Sequence, residues 1–285
     1  MTITGKTKFI AIFGDPIEHT LSPAMHNAAF AELGLDYKYI PFHVKPEDLS
    51  SAVRGLKAMN IAGANITVPH KERVLEFLDD VDDEAKRLGA VNTIVNRDGK
   101  LIGYNTDGRG FVRSLKEDAG LDPALKKVYM CGSGGAARGI GFALAAAGVR
   151  RVYLYDVDIA KMDRLITDLN SGAGRDVARP SKPDPDFIRS CDLVINATPL
   201  GIHKDDPAPM PPDSFRVGQV VYDIIYNPPQ TETLRAAVYG GAKAVNGLGM
   251  LLYQGVIAFE HWMGVSPPVD TMKKALLAGL GLKSD

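Results

Sequence analysis

The sequence predicts an α/β chain of two domains. Short apolar runs of strand length alternate with longer segments of helical period, the pattern of α/β units around a mostly parallel sheet. A second series of such units begins after Asp107. The 285 residues, 45% of them hydrophobic, suffice for two packed cores of ordinary size.

In chain order, Phe9–Phe13 is five apolar residues in a row and reads as a buried strand. A helical pattern follows at Pro23–Leu33, then a strand at Tyr37–Phe42 and a helix at Pro46–Met59; both helices open on a proline, which a first turn tolerates. Gly63–Thr67 and Ala90–Asn96 read as strands around a short helix at Glu84–Leu88. After Asp107 a helix runs to about Glu117 and ends before the Gly-Leu-Asp-Pro turn at 120–123. Lys127–Cys131 is a strand, Ala136–Ala147 a helix and Arg151–Tyr155 a strand; Asp192–Asn196 and Val220–Ile225 continue the series. Residues 171–190, rich in Gly, Pro, Ser and charge, read as an exposed connection. Gly249–Met263 is apolar at helical spacing, and a final helix near Thr271–Leu280 is expected to pack back on the first domain. The expected division is 1–107 plus 248–285 for one domain and 108–247 for the other.

With 33 Lys+Arg against 34 Asp+Glu the net charge is −1, and no run of like charge suggests a nucleic-acid tail or a membrane-attracting patch. The expected partner is a small molecule, with no nucleic acid and no membrane, and the chain is expected to act as a monomer or homodimer. No apolar stretch reaches the roughly 18 residues of a spanning helix, and Met1–Ile10 lacks the apolar centre of a signal peptide, so a cytoplasmic location is expected. Cys131 and Cys191 are isolated from each other, define neither a disulfide framework nor a zinc site, and read as buried reduced thiols. No metal is expected.

The chemistry concentrates in a few segments. Gly132-Ser133-Gly134-Gly135-Ala136-Ala137 follows the apolar strand Val128–Cys131. In such a turn Gly132 permits the bend, Gly134 lets backbone approach a phosphate, and Ala137 keeps the helix close to the strand, which is the dinucleotide fingerprint of a Rossmann-type doubly wound domain. A pyrophosphate would rest on the helix N-terminus, where N–H groups and the dipole favour negative charge. A glycine turn also serves as a plain βα connection, so a second mark matters. Asp156 closes the next strand, Arg151–Tyr155, at the roughly 20-residue offset where a carboxylate accepts from both ribose hydroxyls. An acid there repels a 2′-phosphate, and no arginine occurs in Val157–Lys161, so NAD is favoured and NADP is the other candidate. Read by itself, Asp156 is also a fair cap for the following helix.

Lys71 ends the segment Asn65-Ile-Thr-Val-Pro-His-Lys71, and Asp107 ends Gly103-Tyr-Asn-Thr-Asp107. A lysine ammonium beside a carbonyl can stabilise the alkoxide that hydride addition creates and protonate it, while a neighbouring carboxylate orients hydroxyl and ammonium. By spacing alone, Lys71 reads equally as a solvated lysine at a helix start and Asp107 as a helix N-cap. Asn65, Thr67, Asn92, Asn105 and Thr106 gather near strand ends, where open α/β sheets hold ligands, although each also suits a turn or cap.

Taken together these segments resemble the shikimate dehydrogenase family, which includes the quinate/shikimate dehydrogenases. His19-Thr-Leu-Ser-Pro-Ala-Met-His-Asn27 is similar to the family's substrate-carboxylate segment, with Thr20 in place of its first serine. Asn65–Lys71 resembles its N-x-T-x-P-x-K segment, Gly89-Ala-Val-Asn-Thr93 its G-A-V-N-T, and Asn105-Thr-Asp107 its N-T-D. Asn196-Ala-Thr-Pro-Leu-Gly201, Asp223-Ile-Ile-Tyr-Asn-Pro228 and Gly247-Leu-Gly-Met-Leu-Leu-Tyr-Gln254 resemble the segments near the nicotinamide and the closing segments. Seven segments match in order. The chain departs from NADP-using members in showing Tyr155-Asp156-Val157 where they carry Asn-Arg-Thr, and it has His203 where a methionine is common.

The resemblance implies reversible oxidation of shikimate to 3-dehydroshikimate, with the corresponding quinate reaction as a further candidate. It implies Lys71 and Asp107 as catalytic residues. It implies Thr20 and Ser22 on the substrate carboxylate, and Asn65, Thr67, Asn92, Tyr226 and Gln254 around the polar ring. Gly132, Ser133, Gly134, Gly135, Ala136, Asp156, Thr198, Ile224 and Gly247 are the expected cofactor-binding residues. The site is expected in a cleft between the two domains. A dehydrogenase of a related ring such as aminoshikimate, or a non-catalytic dinucleotide-binding regulator, are the rival readings.

Overall fold

The first strand, β1 (Lys8–Gly14), is almost wholly apolar because it is flanked on both sides in its sheet. The computed structural model describes residues 2–282; Met1 and 283–285, the two ends of the first expected domain, lie outside the described residues. The chain divides into two units, one of residues up to Thr106 with those from Gln254 onward, the other of Asp107–Tyr253.

In the first unit, β1 is followed by α1 (Ser22–Glu32), β2 (Tyr37–His43) and, after a 3-10 turn at Pro46–Asp48, α2 (Leu49–Ala58). Then come β3 (Gly63–Ile66), β4 (Asp80–Val81), α3 (Asp83–Leu88), β5 (Thr93–Arg97) and β6 (Lys100–Tyr104). The sheet order is β2-β1-β3-β5-β6-β4. β1 pairs in parallel with β2 and β3, whereas β5 runs antiparallel to both β3 and β6. The expected mostly parallel sheet is therefore mixed here. The cause is the tight β5–β6 hairpin, whose turn at Asp98 and Gly99 adopts positive φ. The core under this sheet joins Leu49, Val53 and Leu56 of α2 to Ala64, Ile66, Ile94 and Leu101. Burying each large aliphatic side chain contributes about 1.5–3 kcal/mol.

The second unit opens with α4 (Asp107–Glu117), then β7 (Lys127–Cys131), α5 (Gly135–Ala146), β8 (Arg151–Tyr155), α6 (Ile159–Ala173), β9 (Ala178–Pro180), α7 (Pro185–Arg189), β10 (Leu193–Asn196), β11 (Val220–Asp223), α8 (Glu232–Tyr239) and β12 (Lys243–Val245). Its sheet is wholly parallel in the order β12-β11-β10-β7-β8-β9. This is the doubly wound order with its switch point between β7 and β10. Residues 171–190 are not a bare connection. They hold the end of α6, the edge strand β9 and the turn of α7, because Asn170 accepts from the N–H groups of Val177 and Ala178, both at 2.7 Å, and donates to the Ala178 carbonyl.

The last helices are α9 (Leu248–Met263) and α10 (Val269–Gly279). The boundary between the units falls inside α9, at Tyr253 and Gln254, rather than at residue 248. α10 packs on α1 within the first unit, and Thr271 hydrogen-bonds Glu32 there. Cys131 and Cys191 are free and buried, and burial pushes their thiols up to about 12 and about 11. No helix of the described residues is long and apolar enough to cross a membrane.

Candidate active site

In the first unit the strand ends gather the polar residues that the sequence singled out. Ser22, at the start of α1, is buried, and Thr20 Oγ1 accepts its N–H at 3.3 Å. Asn65, near the end of β3, has its side chain fully engaged as a donor: Nδ2 gives one bond to the Asn92 carbonyl at 3.0 Å and one to Thr93 Oγ1 at 3.1 Å. Its Oδ1 accepts from the Tyr39 hydroxyl at 2.6 Å. Tyr39 is in turn gripped by Asn27, whose side chain donates to the Tyr39 carbonyl and accepts from its N–H, both at 2.9 Å. Burial raises the Tyr39 pKa far above the usual phenol range, against a Ser22 hydrogen bond that lowers it, so the phenol stays a donor.

Asn92 is the centre of the opposite side of this network. Its Oδ1 accepts from the Thr106 N–H and from Thr93 Oγ1, both at 2.9 Å, and its Nδ2 donates to Thr106 Oγ1 at 3.0 Å. One residue earlier, Val91 N–H donates to the Lys71 carbonyl at 2.8 Å. The segment 91–92 thereby fixes the backbone of Lys71 on one side and, through Thr106, the start of the chain that continues into Asp107. Lys71 and Asp107 are each half-buried, and Asp107 forms the first residue of α4, where the helix dipole favours a carboxylate. Thr67 is half-buried beside Gly14: a Cβ on that glycine would meet Thr67 Cγ2 at 2.5 Å, so only glycine lets β1 end so close to this segment.

In the second unit, Gly132 has φ +106 and its N–H donates to the Tyr155 carbonyl at 2.8 Å; a Cβ would strike the Ala197 carbonyl at 2.7 Å. The turn thus needs glycine both for its torsion and for its approach to the strand-10 loop. No side chain caps α5 at Gly134, so the N–H groups of Gly135 and Ala136 face the end of the helix ready for an anion. A cavity of about 780 Å³ opens beside this turn, lined among others by Ser133, Gly134, Asp156, Lys161, Thr198 and Met210. Burial pulls the Asp156 pKa up but is outweighed by the Ser133 hydroxyl, the N–H groups of Asp158 and Ser133 and the charge of Lys161, which hold it below the usual carboxylate range. The group is therefore an anion at neutral pH, and it faces a cavity of nucleoside size.

Thr198 sits in the turn after β10, where its N–H and hydroxyl both donate to Asn196 Oδ1, at 3.1 and 2.7 Å. Ile224 follows β11, and Gly247 packs against it so closely that a Cβ would lie 1.9 Å from the Ile224 carbonyl oxygen. Tyr226 is half-buried in the same unit, its phenol pushed up by burial, whereas Gln254 belongs to the first unit. The uncapped turn at 132–136 and the cavity lined by Asp156 and Thr198 could hold the anionic linker and a nucleoside of a dinucleotide, whereas Ile224 and Gly247 lie outside that cavity's lining. Among the described residues no cluster of three or more His, Cys, Asp or Glu side chains is arranged to hold a metal ion.

Two residues of these networks lie outside the sequence reading as functional groups: Tyr39 is visible there only as a strand residue and Lys161 only as the end of a stretch without arginine. Each draws its role from partners 20 or more residues away or from a cavity, and local pattern carries no trace of either.

Two family models match the chain: the shikimate dehydrogenase substrate binding domain over residues 12–94, and the shikimate 5′-dehydrogenase C-terminal domain over residues 247–277. A relative from Desulforamulus reducens, a shikimate dehydrogenase (NADP(+)), is 47% identical over 96% of this chain and 96% of its own length. Among solved structures, a shikimate dehydrogenase in complex with NADP+ superposes with a TM-score of 0.92 at 39% identity, covering 99% of this chain and 98% of that one. The shikimate 5-dehydrogenase from Listeria monocytogenes in complex with shikimate and NAD gives 0.90 at 38% identity, covering 97% and 98%. A quinate dehydrogenase from Corynebacterium glutamicum in complex with NAD also gives 0.90, at 30% identity, covering 95% and 99%.

Proposed function

Because the chain belongs to the shikimate dehydrogenase family, we propose that it is an NAD(P)-dependent oxidoreductase that interconverts shikimate and 3-dehydroshikimate, with quinate as a second candidate substrate. The first unit takes the cyclic acid and the second the dinucleotide. The observation that carries this reading is the segment Val91–Asn92, which ties the Lys71 backbone and Thr106, the residue before Asp107, to one strand end.

A nicotinamide dinucleotide held by the turn 132–136, Asp156 and Thr198 would supply the hydride for the ring ketone, or take it up in the reverse direction. In reduction the Lys71 ammonium hydrogen-bonds the ring oxygen as negative charge grows on it and delivers its proton there; in oxidation neutral Lys71 receives that proton. Asp107 accepts from the reacting hydroxyl and keeps the lysine oriented. Thr20 and Ser22 donate to the substrate carboxylate, and Thr67, Asn92, Tyr226 and Gln254 meet ring hydroxyls. Asn65, whose amide hydrogens both stay inside the protein, serves this ring by holding Asn92 and Thr93 in place.

For the cofactor we propose a preference for NAD, on the ground that the Asp156 carboxylate accepts from ribose hydroxyls and repels a 2′-phosphate. Relatives carrying NADP(+) in their names give this choice a direct competitor, and Lys161 in the same cavity is the cation that would meet a 2′-phosphate. Initial rates followed at 340 nm with shikimate and quinate, each against NAD and NADP, test both choices. Activity with shikimate and a higher kcat/KM with NAD is the expected result; no reduction of either dinucleotide by either acid removes the reading.

A further inference from the structure

Asp223 ends β11 with no exposed surface, and nothing in the proposed reaction uses it. Its carboxylate is nonetheless completely engaged. Oδ1 accepts from Asn196 Nδ2 and from the Ile225 N–H, both at 3.1 Å, and Oδ2 accepts from the Thr231 hydroxyl at 2.7 Å. All three donors are neutral, so burial wins over these bonds and raises its pKa. A buried carboxylate held only by neutral donors is costly to keep, and a position with purely packing duties is filled at lower cost by an apolar residue.

What the three donors have in common is their place. Asn196 heads the turn after β10, in which its Oδ1 takes the Thr198 N–H and hydroxyl, Thr198 Oγ1 takes the Leu200 N–H at 3.1 Å, and Asn196 Nδ2 returns to the Leu200 carbonyl at 3.1 Å. Ile225 belongs to the turn after β11, beside Ile224 and its close neighbour Gly247. Thr231 is the N-cap of α8, accepting from Leu234 N–H at 3.3 Å. One carboxylate therefore joins two strand-end turns and a helix start. In the doubly wound order, β7 and β8 carry one mononucleotide half and β10 and β11 the other. The first half is the cavity of Ser133 and Asp156, whose rim the turn after β10 also supplies through Thr198, so the turns that Asp223 joins lead from that rim to the second half.

Resting on the dinucleotide reading given above, we propose that Asp223 is a positioning residue for the nicotinamide half of the cofactor, acting through Asn196 and Ile225 on the turns that carry Thr198 and Ile224. Its removal spares the Ser133–Asp156 anchor of the adenosine half, because neither residue shares a bond with this cluster.

The test is isothermal titration of the full chain with NAD and, separately, with adenosine 5′-monophosphate, for the unmodified protein, Asp223→Ala and Asp223→Asn. Asp223→Ala strands three buried donors and is expected to weaken NAD about tenfold or more, while the monophosphate stays within about twofold. Asp223→Asn keeps one acceptor oxygen for Asn196 and Ile225 and loses the Thr231 bond; it is expected to fall between the two, at about threefold, and it carries the test alone if the alanine variant does not fold. Equal weakening of both ligands in a variant with unchanged circular dichroism overturns the proposal, as does NAD binding unchanged in both variants. If the unmodified chain binds neither NAD nor NADP, it is the dinucleotide reading that fails, and the two failures are distinct.

Discussion

Ser133 gives both its backbone N–H and its hydroxyl to a single oxygen of Asp156, at 2.7 and 2.6 Å. The other oxygen accepts the Asp158 N–H at 2.9 Å. The glycine turn and Asp156 are thus one assembly, with the carboxylate fixed in orientation by three donors. The Ser133 hydroxyl is thereby committed to Asp156.

From that assembly follows a split in cofactor effects. Asp156→Ala is expected to raise KM for NAD by about tenfold, the size of one or two charge-assisted hydrogen bonds, and to leave KM for NADP unchanged or lower. Lys161→Ala is expected to do the reverse, weakening NADP with NAD unaffected. Steady-state rates at fixed shikimate check both; equal losses for the two dinucleotides in either variant contradict the charge argument.

Tyr39 gives a corresponding handle on the substrate side. Tyr39→Phe leaves Asn65 Oδ1 without its 2.6 Å donor in a buried setting, which costs about 1–3 kcal/mol and loosens the Asn65–Asn92 network. KM for shikimate should rise several-fold while KM for the dinucleotide holds. A variant with wild-type KM for shikimate would remove Tyr39 from substrate positioning.

The first unit also carries a pH dependence of stability. His26 is fully buried between aromatic rings, stacked on Tyr39 at 4.5 Å with Trp262 edge-on at 5.3 Å, and neither ring nitrogen has a hydrogen-bond partner. Gly255 packs beside it, where a Cβ would lie 3.4 Å from His26 Nε2 and meet Met25 Cε at 2.3 Å. Burial pushes the His26 pKa down from 6.5 to about 3. The unfolded chain therefore takes up a proton that the folded chain refuses, and stability falls as pH drops from 6.5 toward 3. One such proton amounts to about 2 kcal/mol at about pH 5. Urea unfolding at about pH 7.5 and about pH 5 should show a steeper loss for the unmodified chain than for His26→Phe; identical losses would mean that His26 is not the group responsible.

The doubly wound unit was largely legible from sequence. Lys127–Cys131 and Arg151–Tyr155 appear with the bounds their apolar runs suggest: the first is a parallel strand buried on both faces, and the second buries Val152 and Leu154 while tyrosines keep its half-buried face apolar. The first unit was less so. β6 alternates Leu101 and Gly103 inward with Ile102 and Tyr104 half-exposed, and it follows Ala90–Asn96 so closely that the hairpin merges with its neighbour in a hydrophobicity reading. The site divided in the same way. Local segments single out Lys71, Asp107 and the glycine turn as candidates. Tyr39 and Asp223 depend on partners from other strands, Asn65 at 26 residues' separation and Asn196 at 27, which only the folded sheets bring within bonding distance.

The central claim is that Lys71 handles the proton of a ring alcohol. Lys71→Ala, assayed with shikimate at saturating dinucleotide, should lose at least about a hundredfold in kcat, the usual size of a general acid–base contribution, with thermal unfolding and NAD affinity unchanged. Turnover equal to that of the unmodified enzyme, in a protein that folds and binds NAD normally, would contradict it.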